Sequence, residues 1–188
     1  MAHIIGISGS LRQASFNTML LRAAAAAAPP GSTIDIHSIA GIPLYDGDVE
    51  SRDGIPDVVS ALKNAIADSD GLLLVTPEYN NSLPGVFKNA IDWLSRPPSD
   101  IRRVFGGRPV AVIGATPGQG ATALAQAAWL PVLRTLGTAP WFGGRLGVPN
   151  AAKVFDPEGR IIDPGIQSRL DTLVRGFVEY VERRAPRA

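Results

Sequence analysis

Cysteine is absent from this 188-residue chain. Its absence removes disulfides, thiolate metal sites, iron–sulfur clusters and cysteine nucleophiles together. Any redox chemistry would have to come from a bound organic cofactor. Histidine is scarce: His3 and His37 are the only two, both read at strand positions, and their spacing matches no metal-ligand pattern. Neither sign of charge dominates, since 18 basic residues against 17 acidic leave a net charge of +1. Such a balance favours neither nucleic acid nor an anionic membrane as partner. The arginines gather only at the C-terminus, as Arg183, Arg184 and Arg187, where they read as a solvated tail. Long apolar runs are missing too. Ala23 to Ala28 is far too short to span a bilayer, and Pro29-Pro30 stops it. With a first strand starting by about residue 3 there is no room for a signal peptide, so the expected location is the cytoplasm.

What remains is a composition 45% hydrophobic and 19% charged, enough to bury a full core within one globular unit, expected to span residues 1–188. The chain opens on a buried strand, Ile4 to Ile7, that runs into the small polar turn Ser8-Gly9-Ser10-Leu11-Arg12 and then a helix capped by Ser15. Phe16, Met19, Leu20, Ala23, Ala24 and Ala27 recur there at helical spacing. Thr33 to His37 alternates as a short strand, and Gly41 to Gly54 reads as a Pro/Gly/Asp-rich loop. Pro56 opens a helix carrying Val59, Leu62 and Ile66. Gly71 to Thr76 is apolar on both faces, as the central strand of a parallel sheet must be.

The pattern of strand, polar turn and helix then repeats. Pro77-Glu78-Tyr79-Asn80-Asn81-Ser82 precedes a helix with Phe87, Ala90, Ile91 and Leu94. Pro109 to Gly114 is a strand, Ala115 to Gly120 a loop, and an alanine-rich helix starts near Ala121, with Pro131 expected to kink or end it. Ala139 to Leu146 reads as a fifth strand, Asp156 to Gly159 as a small hairpin, and Ile166, Leu170, Leu173, Val174, Phe177 and Val181 line one side of a last helix. Five strands alternating with helices imply an open parallel α/β sheet covered on both faces, in the order 2-1-3-4-5. In that order the loops after strands 1, 3 and 4 face one crevice.

The first of these loops aims backbone amides and a helix N-terminus at one spot, with Ser10, Ser15, Asn17 and Arg12 as further donors. Such a turn either holds a phosphate or simply caps its helix. It lacks the G-x-G-x-x-G dinucleotide fingerprint, the Gly-Lys-Ser/Thr of a triphosphate loop, and the G-x-S-x-G hydrolase elbow. The second loop crowds amide, carboxyl and aromatic groups where a heteroaromatic ligand could stack; its plainer reading is a turn followed by a helix cap. Lys88 and Asp92, four apart, read as an ordinary surface pair, and Trp93 as packing or interface.

Together, Gly9-Ser10-Leu11-Arg12 with Ser15-Phe16-Asn17, and Thr76-Pro77-Glu78-Tyr79-Asn80 with Ser82, Pro84-Gly85 and Lys88-Asn89-Ala90-Ile91-Asp92-Trp93, resemble the NADPH-dependent FMN reductase family of flavodoxin-like quinone, azo-dye and chromate reductases. The resemblance covers nearly the whole chain. It implies a three-layer flavodoxin-like sandwich and non-covalent FMN, with the phosphate on Ser10, Arg12, Ser15, Phe16 and Asn17. The ring would then lie on Pro77, Glu78, Tyr79 and Asn80, with Thr116, Gly118 and Gly120 from the third loop. The chain departs from the pattern at Thr122-Ala123-Leu124, where chromate- and quinone-reducing members often carry an arginine, so this position supports neither one particular acceptor nor an interface built on that arginine.

The expected function is an FMN-dependent oxidoreductase that takes hydride from NADPH or NADH and passes it to a small-molecule electron acceptor such as a quinone, azo compound, free flavin or chromate. No protein acid or base is required, and Arg12 could meet the phosphate of FMN or of NADPH. A flat ring at the lip of one subunit implies a homodimer completing the pocket, with a homotetramer possible by resemblance. Two other classes stay open. A flavodoxin-type electron carrier would dock by charge, against which the net +1 argues; a phosphate-ligand sensor would leave the second motif unused.

Overall fold

The structure is a computed structural model that describes residues 1–184; Arg187 of the C-terminal arginine cluster lies outside the described residues. Strand β1 (His3–Ser8) leads to helix α1 (Phe16–Ala26), then β2 (Thr33–His37), α2 (Gly47–Asp53), α3 (Asp57–Ala67) and β3 (Gly71–Val75). Next come α4 (Gly85–Leu94), a 3-10 turn with the short α5 (Ile101–Val104), and β4 (Pro109–Ala115). The chain closes with α6 (Ala123–Thr135), β5 (Ala139–Pro140), β6 (Gly147–Val148) and the long α7 (Pro164–Arg184).

The sheet is parallel in the order β2-β1-β3-β4-β5, as the alternation predicts, with β6 also on β4. Every residue of β3 is buried, because strands on both sides and helices on both faces leave a central strand no solvent. One face packs Ile4, Leu73, Val75, Ala111 and Ile113 against α1 and α7. The other packs Ile5, Ile7, Leu72, Leu74 and Val110 against α3, α4, α5 and α6. The six apolar positions expected on the last helix are all buried.

Three expectations are corrected or extended. The fifth strand is not continuous over Ala139–Leu146: only Ala139–Pro140 pairs with β4, the chain then loops out, and the next residues to pair with β4 are Gly147–Val148, just past the expected end. Trp141 explains the break, since its indole turns under α7 to lie 5.6 Å from the Phe177 ring and 6.5 Å from that of Tyr180. Pro131 does not end α6, which runs on to Thr135 because Trp129 and Leu133 on either side of it are held in the core. The 41–54 loop contains α2, started by Asp46 accepting from Asp48 N–H at 2.8 Å. This helix buries no residue, so it carries no apolar period to betray it. The expected hairpin near Asp156 is present as the antiparallel bridge Phe155–Ile161.

Among the described residues no helix is long and apolar enough to cross a membrane. Arg183 lies 3.9 Å from Glu179, and Arg184 stacks over the Tyr180 ring.

Candidate functional site

The three polar loops emerge from the C-terminal ends of neighbouring strands. Ser8 pairs with Val75, and Val75 with Ile113. Backbone bonds continue past the strand ends, from Gly9 N–H to Val75 O and from Thr76 N–H to Ile113 O.

In the first loop Ser15 is the helix cap, its Oγ accepting from the N–H groups of Asn17 and Thr18 at 3.2 and 3.4 Å, which leaves its own proton to donate. Ser10 Oγ accepts from the Arg12 N–H. The amides of Ser10, Leu11, Gln13, Ala14, Ser15 and Phe16 make no hydrogen bond to any described residue. A run of free amides opening a helix is the donor set an anion requires. Arg12 is exposed and takes part in no ion pair among the described residues. On the β2 flank of this loop lies a cleft of about 310 Å³ lined by Ser10, Arg12, Thr18, Arg22 and His37 among others.

The second loop is a two-residue hairpin turn. Tyr79 and Ser82 exchange both backbone bonds at 3.0 Å, and Asn80 and Asn81 between them have φ of 50° and 61°. Asparagine is one of the few side-chain-bearing residues that readily adopt this left-handed conformation. The turn holds Tyr79 outward, 44% exposed. Beneath it, Trp129 Nε1 donates to Thr76 Oγ1 at 3.0 Å, and Phe87 meets the Trp129 ring edge-on at 4.9 Å. This pair gives the loops a rigid apolar floor.

The third loop, from Thr116 to Thr122, leans on the segment after β6: Thr116 N–H bonds Val148 O, and Gly118 O accepts from Asn150 N–H. Thr116 Oγ1 accepts from Gly118 N–H at 3.3 Å. Its last two residues, Ala121 and Thr122, have φ of 51° and 56°. Two glycines make this turn possible. A Cβ on Gly114 would fall on the Thr76 carbonyl oxygen, and one on Gly147 on that of Ala121. Neither glycine figures among the residues the sequence motifs single out.

The twelve candidate residues therefore share one strand-end region, but not all face outward. Ser10, Arg12, Tyr79, Asn80, Gly118 and Gly120 lie at least partly open. Pro77 is buried, its carbonyl accepting from Thr76 Oγ1 at 2.8 Å. The Phe16 ring stacks on Phe155 at 5.9 Å, so only its backbone turns to the loop. Asn17 is buried, and both ends of its amide bind the backbone of Ala115 at 2.9 Å. Glu78 Oε2 accepts from the N–H groups of Leu124 and Ala125 at 2.9 and 3.0 Å. Lys88 and Asp92 form the expected pair, 2.6 Å apart. Trp93 is fully buried, edge-on to Tyr45 at 5.0 Å.

Fold and site together define a flavodoxin-like α/β protein whose polar loops converge where the order of strands reverses. The chain belongs to the NADPH-dependent FMN reductase family, whose profile matches residues 2–153. It is 39% identical over 180 residues to the NAD(P)H-dependent FMN reductase of Pseudomonas aeruginosa, covering 96% of this chain and 95% of that one. It is also 39% identical over 178 residues to a 2-hydroxy-1,4-benzoquinone reductase of a Burkholderia species, covering 95% of each. Among solved structures, the flavoenzyme NAD(P)H:acceptor oxidoreductase FerB of Paracoccus denitrificans superposes with a TM-score of 0.86 at 33% identity, covering 97% of this chain and 98% of that one. The resemblance drawn from the two motifs is borne out.

Proposed function

We propose that the chain, as one FMN-binding unit, is an NAD(P)H-dependent oxidoreductase that reduces a small acceptor of the quinone or flavin class. The observation that carries this reading is the set of free amides at Ser10, Leu11 and Gln13 to Phe16 around the Arg12 side chain, following the strand that adjoins the two loops suited to a flat ring. That donor set fits a phosphate monoester and, with no Gly-Lys-Ser/Thr, does not fit a triphosphate.

FMN, when bound, supplies the two-electron chemistry that links nicotinamide oxidation to acceptor reduction. The protein's part is to bind, orient and exclude water. The α1 N-terminus, the Ser15 hydroxyl and Arg12 would hold the phosphate. The amides of Asn80, Gln119 and Gly120, unpaired among the described residues, would offer donors to the polar edge of a ring lying over the Phe87–Trp129 floor.

Tyr79, Val86 and Leu124 are exposed on the first turns and loops around the site. A second copy covering this rim would shield the ring, which supports a homodimer; sedimentation as a monomer at working concentration would refute that part. For the activity, the purified protein should be yellow, or become so with FMN, and should oxidise NADPH or NADH when a quinone is added. A colourless protein that cannot be reconstituted with FMN would overturn the reading, and a yellow one inert to both nicotinamides would point to an electron carrier.

A further inference from the structure

The loop from Thr116 to Thr122 is the least self-supporting wall of the site. Two consecutive residues with side chains sit in the left-handed region, a conformation L-residues disfavour. The helix behind it, α6, has no side-chain cap from its own N-cap residue, Thr122, so its first amides need partners from elsewhere.

A side chain from the first turn of α1 and one from the second loop supply what is missing at each end. At the start, the last backbone bond from the β3 side to β4 runs from Thr76 N–H to Ile113 O, and Ala115, one step further along β4, makes no backbone bond to that side. Asn17 takes over: its Nδ2 donates to Ala115 O and its Oδ1 accepts from Ala115 N–H, both at 2.9 Å. The primary amide thus replaces a strand backbone. At the far end Glu78 places a carboxylate on the α6 N-terminus, accepting from Leu124 and Ala125, where charge and helix dipole reinforce each other.

We propose that Asn17 and Glu78 are positioning residues that clamp the two ends of this loop, and so set the third wall of the flavin site, without themselves being side-chain ligands of the flavin. The family resemblance places both on FMN; their hydrogen-bond partners here give them a different task. The proposal rests on the FMN reading above, and its test separates the two.

The experiment compares the wild-type protein with Glu78→Ala, Glu78→Gln, Asn17→Leu and Asn17→Asp, each full-length and first stripped of flavin. Amide hydrogen exchange over residues 114–126 reads the clamp with no FMN present. FMN titration by fluorescence quenching and the visible circular dichroism of the bound flavin read its consequence. In Glu78→Ala, exchange at Leu124 and Ala125 should accelerate about tenfold or more while β1 and β3 stay as in wild type, FMN should bind about tenfold more weakly, and the visible dichroism should change. Glu78→Gln, which keeps the acceptor oxygen, should recover most of each effect. Asn17→Leu should loosen the 114–118 end in the same way. If it does not fold, Asn17→Asp, which keeps the shape and the acceptor but lacks the donor to Ala115 O, carries the test.

Unchanged exchange with weakened FMN binding would make these residues direct ligands and overturn the proposal. Faster exchange with unaltered FMN affinity and dichroism would make the clamp merely structural and overturn it equally. A wild-type protein that binds no FMN would overturn the flavin reading itself, a failure visible before any variant is compared.

Discussion

Arg12 and Lys63 carry the same formal charge in opposite settings, and the setting decides what each does. Arg12 is exposed beside a row of free amides, so its charge is available to an incoming anion. Arg12→Ala should weaken FMN retention about tenfold, the scale of one charge-assisted bond; unchanged affinity in a fluorescence titration would remove it from the phosphate site. Lys63 is 3% exposed; its ammonium lies 2.6 Å from the Asp100 carboxylate and donates to the Arg96 carbonyl. Removing its partner would strand a buried cation. Asp100→Asn should therefore cost about 2 kcal/mol in urea unfolding at neutral pH. An apolar replacement of both partners should cost less.

The same pairs fix the acid limb of stability. Lys63 first and Arg103 second hold the Asp100 carboxyl below its ordinary range. Arg96 does the same for Glu50, with the Tyr45 hydroxyl helping. A carboxylate depressed in the folded state contributes stability that is fully present above the unfolded value, about pH 4, and is lost as pH falls through the folded one. Wild type should lose denaturant resistance steadily below that point. The double variant Glu50→Gln, Asp100→Asn should start lower and fall less, and an equal slope in both proteins would refute the assignment.

At the scale of elements, the site is a matter of close approach. The turn at Ala121-Thr122 fits over β4 and β6 only because Gly114 and Gly147 present no side chain to the Thr76 and Ala121 carbonyls. Backbone atoms on both sides cannot step aside as a flexible side chain would. Gly147→Ala should thus destabilise the protein by at least about 2 kcal/mol. Its urea midpoint should fall without a change in slope, and flavin retention should fall with it. The 43–50 strap is held to α4 differently, through polar contacts: Trp93 Nε1 and Asn89 Nδ2 both donate to Pro43 O, and Arg96 meets Glu50 at 2.8 Å.

For the molecule as a whole, a ligand spanning three loops on three strands stabilises the sheet only when all three are in place. FMN at about a hundred times its Kd should add about 2.7 kcal/mol to the unfolding free energy. A thermal-unfolding titration should show Tm rising with FMN concentration well beyond saturation. A midpoint indifferent to FMN would place binding outside the cooperative fold. Because loops 1 to 3 rest on β1, β3 and β4, no one of them can be lost without loosening its neighbours, which is the physical content of a site built where strand order reverses.

The alternation of strands and helices and the order of the sheet are legible in the amino-acid sequence. Those follow from local signals: apolar runs such as Gly71 to Val75, the Ser15 cap and the prolines before α3 and α4, all read within a few residues of where they act. What depends on partners far along the chain becomes visible only once the chain is folded. Asn17 reaches a residue 98 positions away and Glu78 helix amides 46 and 47 positions away, so their motif membership says nothing of where their side chains end. Likewise α2 exists without a buried face, α6 passes Pro131 because its flanks are packed, and the fifth strand breaks because Trp141 finds α7. In each case burial or a distant hydrogen bond outweighs a local preference whose energy is smaller than the contact that overrides it.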